Sequence, residues 1–213
     1  MKSLPGAGCV LIVLLLMVFA IAACRPRETL GETPSAALLD AAARGDVEAQ
    51  RQLGNAYKPT EVMGVKYGNV EKSVGWFRKA CAAGYANAQV DFYNFADVYD
   101  ETDSGGYLEE AIACLQDAIR QGHRIALISG AFRAAFIEHD YKTGYYLYSL
   151  FEGTEPHFAN QRDSFADKLT PAEIDEAERA ATAWRAANKI KDDNDFFIEV
   201  NSPFRVVPTT PTP

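Results

Sequence analysis

The chain of 213 residues is acidic, with 21 Lys and Arg residues against 29 Asp and Glu residues and a formal net charge of −8. A nucleic-acid-binding protein needs clustered positive charge to neutralise phosphates, so this balance argues against that class. The chain has 12 Phe, 10 Tyr and 2 Trp residues, enough apolar area for a core, which excludes a wholly disordered protein. The length suits one domain.

The first 23 residues have the pattern of an export signal. Lys2 gives a positive start, and residues 9–23 form an uninterrupted run of apolar or small residues. This run is shorter than the about 20 apolar residues that a membrane-crossing helix needs. It therefore predicts a cleaved signal peptide at 1–23 rather than a transmembrane anchor.

The segment Ile21-Ala22-Ala23-Cys24 resembles the bacterial lipobox, in which a branched apolar residue and two small residues precede a lipidated cysteine. The resemblance implies cleavage before Cys24 and attachment of a diacylglycerol and an N-acyl chain to it. Residues 24–34 then form a tether to the membrane. Because Arg25 rather than Asp follows the cysteine, likeness to other bacterial lipoproteins implies sorting to the outer membrane, facing the periplasm. The alternative is an ordinary signal peptide in which Cys24 is incidental.

The body of the chain repeats itself with a period near 38 residues. The segment at 43–50 recurs at 83–89 and, more loosely, at 121–126. The glycines of the three copies are 39 and 38 residues apart: Gly45, Gly84 and Gly122. Periods of this size indicate stacked pairs of helices. In the first copy two apolar helix faces flank a Pro- and Gly-bearing loop at 58–69, which predicts a helix-loop-helix hairpin.

These residues resemble the Sel-one-like repeat family, a relative of the tetratricopeptide repeats. The resemblance rests on Ala43-x-Gly45-x-x-x-Ala49-Gln50-x-x-Leu53-Gly54-x-x-Tyr57 and on EKSVxWFRKACAAGYxxA at 71–88. It covers a unit near 43–83 very well, one at 84–121 fairly well and one at 122–152 poorly. The second unit has Phe92-Tyr93 where the family has Leu-Gly. The fold that the resemblance implies is all-α: a right-handed α/α solenoid of about three hairpins with short capping helices, over 35–190.

Both ends of the repeat region have the pattern of closing elements. At the first end, Ser35 opens a short apolar helix at 36–43. At the second, Thr170-Pro171-Ala172-Glu173 is a capping box with proline at the first helical position. The capping helix predicted at 171–189 carries one apolar stripe: Ile174, Ala177, Ala181 and Trp184. Residues 191–213 are predicted to form an acidic, then Pro- and Thr-rich tail, from which Phe196-Phe197-Ile198 is a candidate to pack back on the body.

Two cysteines, Cys81 and Cys114, remain in the predicted mature body besides Cys24. A periplasmic setting permits a disulfide. However, the two lie in the second helices of successive repeats at positions offset by several residues, which places their Cα atoms beyond bridging distance. We therefore expect two small, unpaired core residues.

Patterns for catalysis and metal binding are scarce. The chain has three histidines and no Cys-x-x-Cys, His-Glu-x-x-His, Gly-x-Ser-x-Gly or phosphate-binding glycine loop. The run Glu138-His139-Asp140 is predicted to be a solvated helix end, since consecutive helix residues point about 100° apart. The acidic run at 192–195 lacks the glycine and distal glutamate of a calcium loop. We expect no catalytic residue, no metal and no small-molecule cofactor.

The family resemblance implies that the first helices of successive hairpins line a concave groove that binds extended peptides. With Leu53 as a core position, Arg51 and Asn55 are predicted to face this groove, and a step of 39 residues carries Asn55 to Asn94. Each asparagine offers a donor and an acceptor to a peptide backbone, and Arg51 can hold a carboxylate. The alternative is that all three are merely solvated polar positions on helices.

The sequence thus predicts a membrane-anchored periplasmic module, not an enzyme, that binds a protein or peptide partner as a scaffold or adaptor. One alternative is an immunity or inhibitor protein that neutralises a toxin or an envelope enzyme. Another is a cell-envelope hydrolase of the β-lactamase kind. Relatives linked to that activity carry a regularly spaced cysteine pair in every repeat, and this chain lacks those pairs.

Overall fold

The computed structural model describes residues 34–62, 65–103, 106–153 and 155–195, so the predicted signal peptide, Cys24 and most of the tether lie outside the described residues. The helices, in chain order, are α1 (Ala36–Ala43), α2 (Val47–Ala56), α3 (Val70–Ala82), α4 (Ala86–Asp103), α5 (Leu108–Arg120), α6 (Arg124–Phe132), α7 (Tyr141–Ser149), α8 (Pro156–Asp163) and α9 (Pro171–Ala187). A π-helical turn, Arg133–Ile137, continues α6, and a 3-10 turn spans Ala166–Lys168. The predicted helical fold is confirmed. Within the described ranges, no helix combines the length and apolar character needed to cross a bilayer.

The three repeated glycines end three helices in the same way. Their φ angles are 93°, 77° and 78°, for Gly45, Gly84 and Gly122. In each case the glycine N–H donates to the carbonyl three residues back, and the next residue donates to the carbonyl five residues back. At the second junction these bonds run from Gly84 to Cys81 at 2.8 Å and from Tyr85 to Ala80 at 3.2 Å. This is the Schellman motif, whose left-handed residue favours glycine. The sequence repeat is therefore also a repeat of backbone geometry, joining α1 to α2, α3 to α4 and α5 to α6.

A glutamine just after each of the first two junctions makes the same hydrogen bond. Gln50 Nε2 donates to the Ala42 carbonyl at 3.1 Å, and Gln89 Nε2 donates to the Cys81 carbonyl at 3.4 Å. Both side chains are buried. A buried amide left without a partner costs about 1–3 kcal/mol, so each bond fixes the incoming helix to the end of the preceding one. The Ala-Gln pair of the sequence repeat thus has a structural role.

The core of the first two hairpins is built around Phe77 on α3. Its ring lies against Gly54 on α2, where an added Cβ would come 2.7 Å from the ring carbons. On the other side it stacks on Phe92 of α4, with ring centroids 5.8 Å apart. In the second unit Phe92 and Tyr93 stand where the family pattern has Leu-Gly, and both are buried. The departure from the family pattern is therefore accommodated inside the core.

The loop predicted at 58–69 contains a short antiparallel hairpin of strands β1 (Thr60–Val62) and β2 (Val65–Tyr67). Gly68 closes its base with a φ of 97°, and a Cβ there would lie 2.4 Å from the Lys58 carbonyl oxygen, so this position requires glycine. The Tyr99 hydroxyl of α4 donates to the Pro59 carbonyl at 2.8 Å, which ties the hairpin to the second unit. Strands of three residues are too short to show a periodic pattern in the sequence.

Cys81 and Cys114 form a disulfide, and the expectation of two unpaired cysteines is wrong. Their Cα atoms are 6.1 Å apart, within bridging distance. The expectation assumed that positions one repeat period apart face each other. In fact α3 and α5 are staggered, as Arg78 on α3 and Glu110 on α5 also show: they lie 32 positions apart and pair at 2.7 Å. Because α5 is shifted along α3 by several residues, the different positions of the two cysteines within their helices still bring their Cα atoms together.

Helix α9 packs along α7 at the C-terminal end of the repeat region. Its stripe is placed as predicted: Ala177 and Ala181 are buried, and Ile174 and Trp184 pack on the same apolar cluster. The predicted capping box of Thr170 and Glu173 is present. Ion pairs and hydrogen bonds join the two helices along their length: Lys142 to Glu176, Tyr145 to Glu178, and Arg185 to the Ser149 carbonyl. The helix ends at Ala187, two residues before the predicted bound.

Candidate functional site

Arg51, Asn55 and Asp91 form one polar cluster between α2 and α4. Arg51 Nη1 lies 2.7 Å from Asp91 Oδ2, and Asn55 Nδ2 donates to the same oxygen at 2.7 Å. Arg51 and Asn55 are one turn apart on α2, which points both at α4. The two predicted residues on α2 thus converge on a carboxylate that the sequence analysis did not single out.

The other edge of the Arg51 guanidinium is held by Glu48. Nε and Nη2 of Arg51 each donate to its carboxylate at 2.9 Å, and the Tyr85 hydroxyl and Gln52 amide donate to it at 2.7 and 3.0 Å. Burial raises the pKa of Glu48, but the hydrogen bonds from Arg51, Gln52 and Tyr85 outweigh it and hold the pKa below its ordinary value. The hydrogen bonds to Glu48 in turn raise the pKa of Arg51. Both groups are therefore charged.

Arg51 already has an acidic partner on each of its three nitrogens, and its side chain is 28% exposed. A ligand carboxylate would have to share or replace Asp91. Asn94 lies one turn beyond Asp91 on the same side of α4 and is exposed, but the hydrogen bonds of the cluster do not include it. Peptide binding by Arg51, Asn55 and Asn94 stays a prediction.

A second chain of polar contacts crosses the N-terminal ends of α4 and α6. Asn87 Nδ2 donates to the Tyr85 hydroxyl at 3.1 Å, and Asn87 Oδ1 lies 3.0 Å from His123 Nε2. His123 also caps α6, since its Nδ1 accepts the Ala126 N–H at 3.3 Å. An accepting Nδ1 assigns the proton of the neutral ring to Nε2, which donates to Asn87.

His123 is held neutral by its surroundings, although acidic groups lie near it. Burial lowers the pKa of His123, and the charges of Asp193, Asp91 and Asp192 oppose this without cancelling it. The ring is only 1% exposed. Protonation at Nδ1 would remove the cap of α6, so the fold itself favours the neutral ring.

The segment after α9 crosses the same helix ends. The Lys191 N–H donates to the Gly122 carbonyl at 2.9 Å, and the Arg124 N–H donates to the Lys191 carbonyl at 2.9 Å. Further on, the Asp193 carbonyl accepts from Asn87 Nδ2 at 3.1 Å, and the Asp193 carboxylate lies 3.2 Å from His123 Nε2. Residues 191–195, which the sequence analysis assigns to the tail, thus lie on the body of the protein.

Exposed large apolar side chains cluster on α6 and its π-helical turn, and one more, Val98, lies on α4. Five large apolar side chains are between 39% and 61% exposed: Val98, Ile125, Phe132, Phe136 and Ile137. The rings of Phe132 and Phe136 are 5.0 Å apart, and Phe136 meets the buried Phe165 edge-on at 5.5 Å. Adjacent exposed apolar side chains such as Phe132 and Phe136 are typical of interaction surfaces.

The sequence analysis missed this apolar group. Ile125, Phe132 and Phe136 are seven and four residues apart, a spacing that places them on one helix face. However, Leu127 and Ala131 make the opposite face apolar as well, and both are fully buried. Apart from Arg124, Ser129 and Arg133 the helix and its π-helical turn carry only apolar or small residues, so the exposed face had little polar contrast to reveal it.

The polar cluster and the apolar group lie on the exposed sides of successive first helices. On α4 one stripe holds Asn87, Asp91, Asn94 and Val98, at spacings of four, three and four residues. We define the first-helix face as this stripe, the neighbouring Arg51 and Asn55 of α2, and the exposed side of α6 from Ile125 to Phe136. One end of the face is polar and charged, and the other is apolar.

No three His, Cys, Asp or Glu residues in the described ranges are grouped so as to hold a metal ion. In the run at 138–140, Glu138 pairs with Arg133 at 2.8 Å and Asp140 caps α7 by accepting the Thr143 N–H at 3.0 Å. All three side chains of that run are exposed, as predicted for a solvated helix end.

Neither a family model nor a curated protein matches the chain. The resemblance to the Sel-one-like repeats therefore rests on the residue pattern of the sequence. The three Schellman junctions are the structural counterpart of that pattern.

Proposed function

We propose that the chain is a Sel-one-like repeat lipoprotein, held at the bacterial outer membrane through lipid on Cys24, whose first-helix face binds a protein or peptide partner in the periplasm. Two observations carry this proposal: the exposed apolar side chains of α6, and the polar cluster of Arg51, Asn55 and Asp91 on the preceding first helices. The function is binding rather than catalysis. The tether sets the compartment, and the face selects the partner.

The solenoid arrangement belongs to the same proposal. Identical Schellman junctions precede α2, α4 and α6, and the buried Gln50 and Gln89 make the same bond eight residues back. In such an arrangement the first helices stand side by side on one surface. About three hairpins make a short, right-handed arc that suits one peptide or one protein surface.

The two ends of the face supply different parts of the binding free energy. Burying an exposed phenylalanine such as Phe132 or Phe136 contributes about 1.5–3 kcal/mol. The Asp91 carboxylate is held in place by Arg51 and Asn55, and at 24% exposed it can still accept a hydrogen bond from a partner. The apolar end thus supplies affinity, and the polar end supplies orientation.

The test is a crosslinking pull-down from intact cells with the full-length lipoprotein. A Phe132→Ser/Phe136→Ser variant removes the apolar anchors, and an Arg179→Ser/Ala183→Ser variant on the exposed side of α9 is the matched control. Unfolding curves first establish that both variants are folded. We expect the crosslinked partner to be lost with the first variant and kept with the control. A partner that both variants keep would move the site elsewhere, and recovery of no partner by any protein would contradict the proposal.

Anchorage has its own test. A Cys24→Ser variant is expected to lose incorporation of labelled fatty acid and to leave the membrane fraction. Labelling that persists in this variant would show that Cys24 is not the lipidated residue.

A further inference from the structure

The C-terminal segment already covers one end of the first-helix face. Asn87 lies at the start of the exposed stripe of α4, yet it is only 7% exposed, and its side chain contacts Tyr85, His123 and the Asp193 carbonyl. The next residues of the stripe, Asn94 and Val98, are open to solvent. The segment thus seals the first turn of the stripe and leaves the following turns uncovered.

The chain leaves the described region at this same place. The Asp195 N–H donates to the Asp192 carbonyl at 3.0 Å, and the Asp192 N–H donates to the Asp195 carboxylate at 2.9 Å. These two bonds cap a helical turn that begins at Asp193, and the contacts of Asp193 are with the N-terminal ends of α4 and α6. The described part of the chain therefore ends at the N-terminal end of the first-helix face.

The length of the remaining chain is sufficient to cover the face. The stripe from Asn87 to Val98 is about 16 Å long, and the side of α6 from Ile125 to Phe136 is of similar length. The chain after Asp195 has 18 residues, which can reach about 60 Å when extended. Fewer than half of these residues are needed to pass from one end of the face to the other.

The composition of this segment matches the surface. Its first twelve residues contain seven large apolar side chains: Phe196, Phe197, Ile198, Val200, Phe204, Val206 and Val207. The apolar part of the face has four large apolar side chains that are 39% to 61% exposed: Val98, Ile125, Phe132 and Phe136. Leaving both sets in water forgoes the free energy of burying them against each other, about 25 cal/mol for each Å².

We propose that residues 196–207 bind the apolar part of the first-helix face of their own chain and occupy it until a partner displaces them. The regulatory meaning rests on the proposed function, because the segment and the partner then compete for Phe132 and Phe136. A segment joined to the face by a short connection has an effective concentration of the order of millimolar. A partner must bind more tightly than this internal competitor to be captured.

The experiment uses the whole lipoprotein, purified and reconstituted into phosphatidylcholine vesicles without any partner. The photo-crosslinker p-benzoylphenylalanine replaces Phe132, and in a matched control it replaces Arg179 on the exposed side of α9. After irradiation, peptide mapping identifies the residues that are joined. We expect adducts within one chain between position 132 and residues 196–207, and none of these from position 179.

Adducts between two chains would show that a second copy covers the face, and the inference would be wrong. It would also be overturned by adducts to another segment, or by none. A Phe196→Ser/Phe197→Ser/Ile198→Ser variant is expected to reduce the adduct at least several-fold and to increase partner capture in cells. Because crosslinking is done without a partner, its failure is distinct from failure of the proposed function, which is judged by partner capture with the Phe132→Ser/Phe136→Ser variant.

Discussion

Arg51 and Asp91 are 40 positions apart in the chain and on neighbouring first helices, yet their side chains meet at 2.7 Å. Two further residues of α2 support the contact: Glu48 accepts two hydrogen bonds from the guanidinium, and Asn55 donates to the Asp91 oxygen. The contact joins the first hairpin to the second across the first-helix face. It is both a structural link and a charged feature of the proposed site.

Removing the Asp91 carboxylate should weaken this link. Asp91→Ala leaves Asn55 without its side-chain acceptor and Arg51 with Glu48 alone, so we expect the free energy of unfolding to fall by about 1–3 kcal/mol. Urea unfolding measures the change. Asp175→Ala, on the exposed side of α9, is the charge-matched control and should change stability by less than about 0.5 kcal/mol. Equal effects of the two substitutions would mean that the cluster does not couple the hairpins.

The disulfide should contribute through the unfolded chain. Linking Cys81 to Cys114 closes a loop with a sequence separation of 33 residues, for which chain entropy gives about 3–4 kcal/mol. We expect the Cys81→Ser/Cys114→Ser variant to have a free energy of unfolding lower by about this amount, so that it unfolds at a lower urea concentration. Reducing agent should destabilise the parent protein to the same level and leave the variant unchanged. Peptide mapping without reduction tests the pairing directly, and two free thiols at these positions would refute it.

Stability should depend on pH through His123. Its folded pKa lies below the ordinary value of 6.5, so the unfolded chain takes up a proton first as the pH falls. The free energy of unfolding that the neutral His123 contributes is fully present above pH 6.5 and is lost as the pH falls through 6.5 toward the folded pKa. Unfolding free energies at about pH 7.5 and about pH 5.5 should therefore differ, by at most about 1.4 kcal/mol for each pH unit.

His123→Asn is the matched variant for this test, because asparagine can still cap α6 but does not titrate. We expect the pH dependence in this window to flatten. Glu48, whose pKa is lowered from 4.5, loses its contribution to stability only below that pH, so it does not affect the comparison at about pH 5.5. A variant with the parent's pH dependence would assign the effect to other groups.

Two of the junction glycines should differ in their tolerance of alanine. Gly84→Ala places a side chain at a φ of 77° in open space and should cost about 1–2 kcal/mol. Gly122→Ala has a similar φ of 78°, but its Cβ would lie 2.7 Å from the Lys189 carbonyl oxygen. We therefore expect Gly122→Ala to lower the urea midpoint clearly more than Gly84→Ala. Equal losses would show that residues 188–191 give way without cost.

The repeat could be predicted from the sequence because it depends on local geometry. A left-handed residue at a helix end favours glycine, so the spacing of Gly45, Gly84 and Gly122 marks the junctions directly. The capping box at Thr170 and Glu173 is local for the same reason. The disulfide was not predictable in this way, because it depends on the stagger between α3 and α5, and a repeat period carries no information on how neighbouring helices slide along each other.

The candidate site shows the same limit. A step of one repeat leads from Asn55 to Asn94, but the α4 residue that Arg51 and Asn55 reach is Asp91, one turn away. Which turn of one helix meets which turn of the next is set by the large side chains between them, Phe77 and Phe92 here. The exposed Phe132 was hidden for a different reason, since both sides of α6 are apolar and only packing decides which side is covered.

The bond between Cys81 and Cys114 also determines how the molecule would respond to a pulling force. A chain stretched between its proposed lipid anchor and a bound partner lengthens as its helices come apart. The residues between the two cysteines cannot contribute, so about 110 Å of extension is withheld while the bond is intact. Under tension, the disulfide keeps the second helices of the first two hairpins joined. Only the residues outside the loop from Cys81 to Cys114 can then extend.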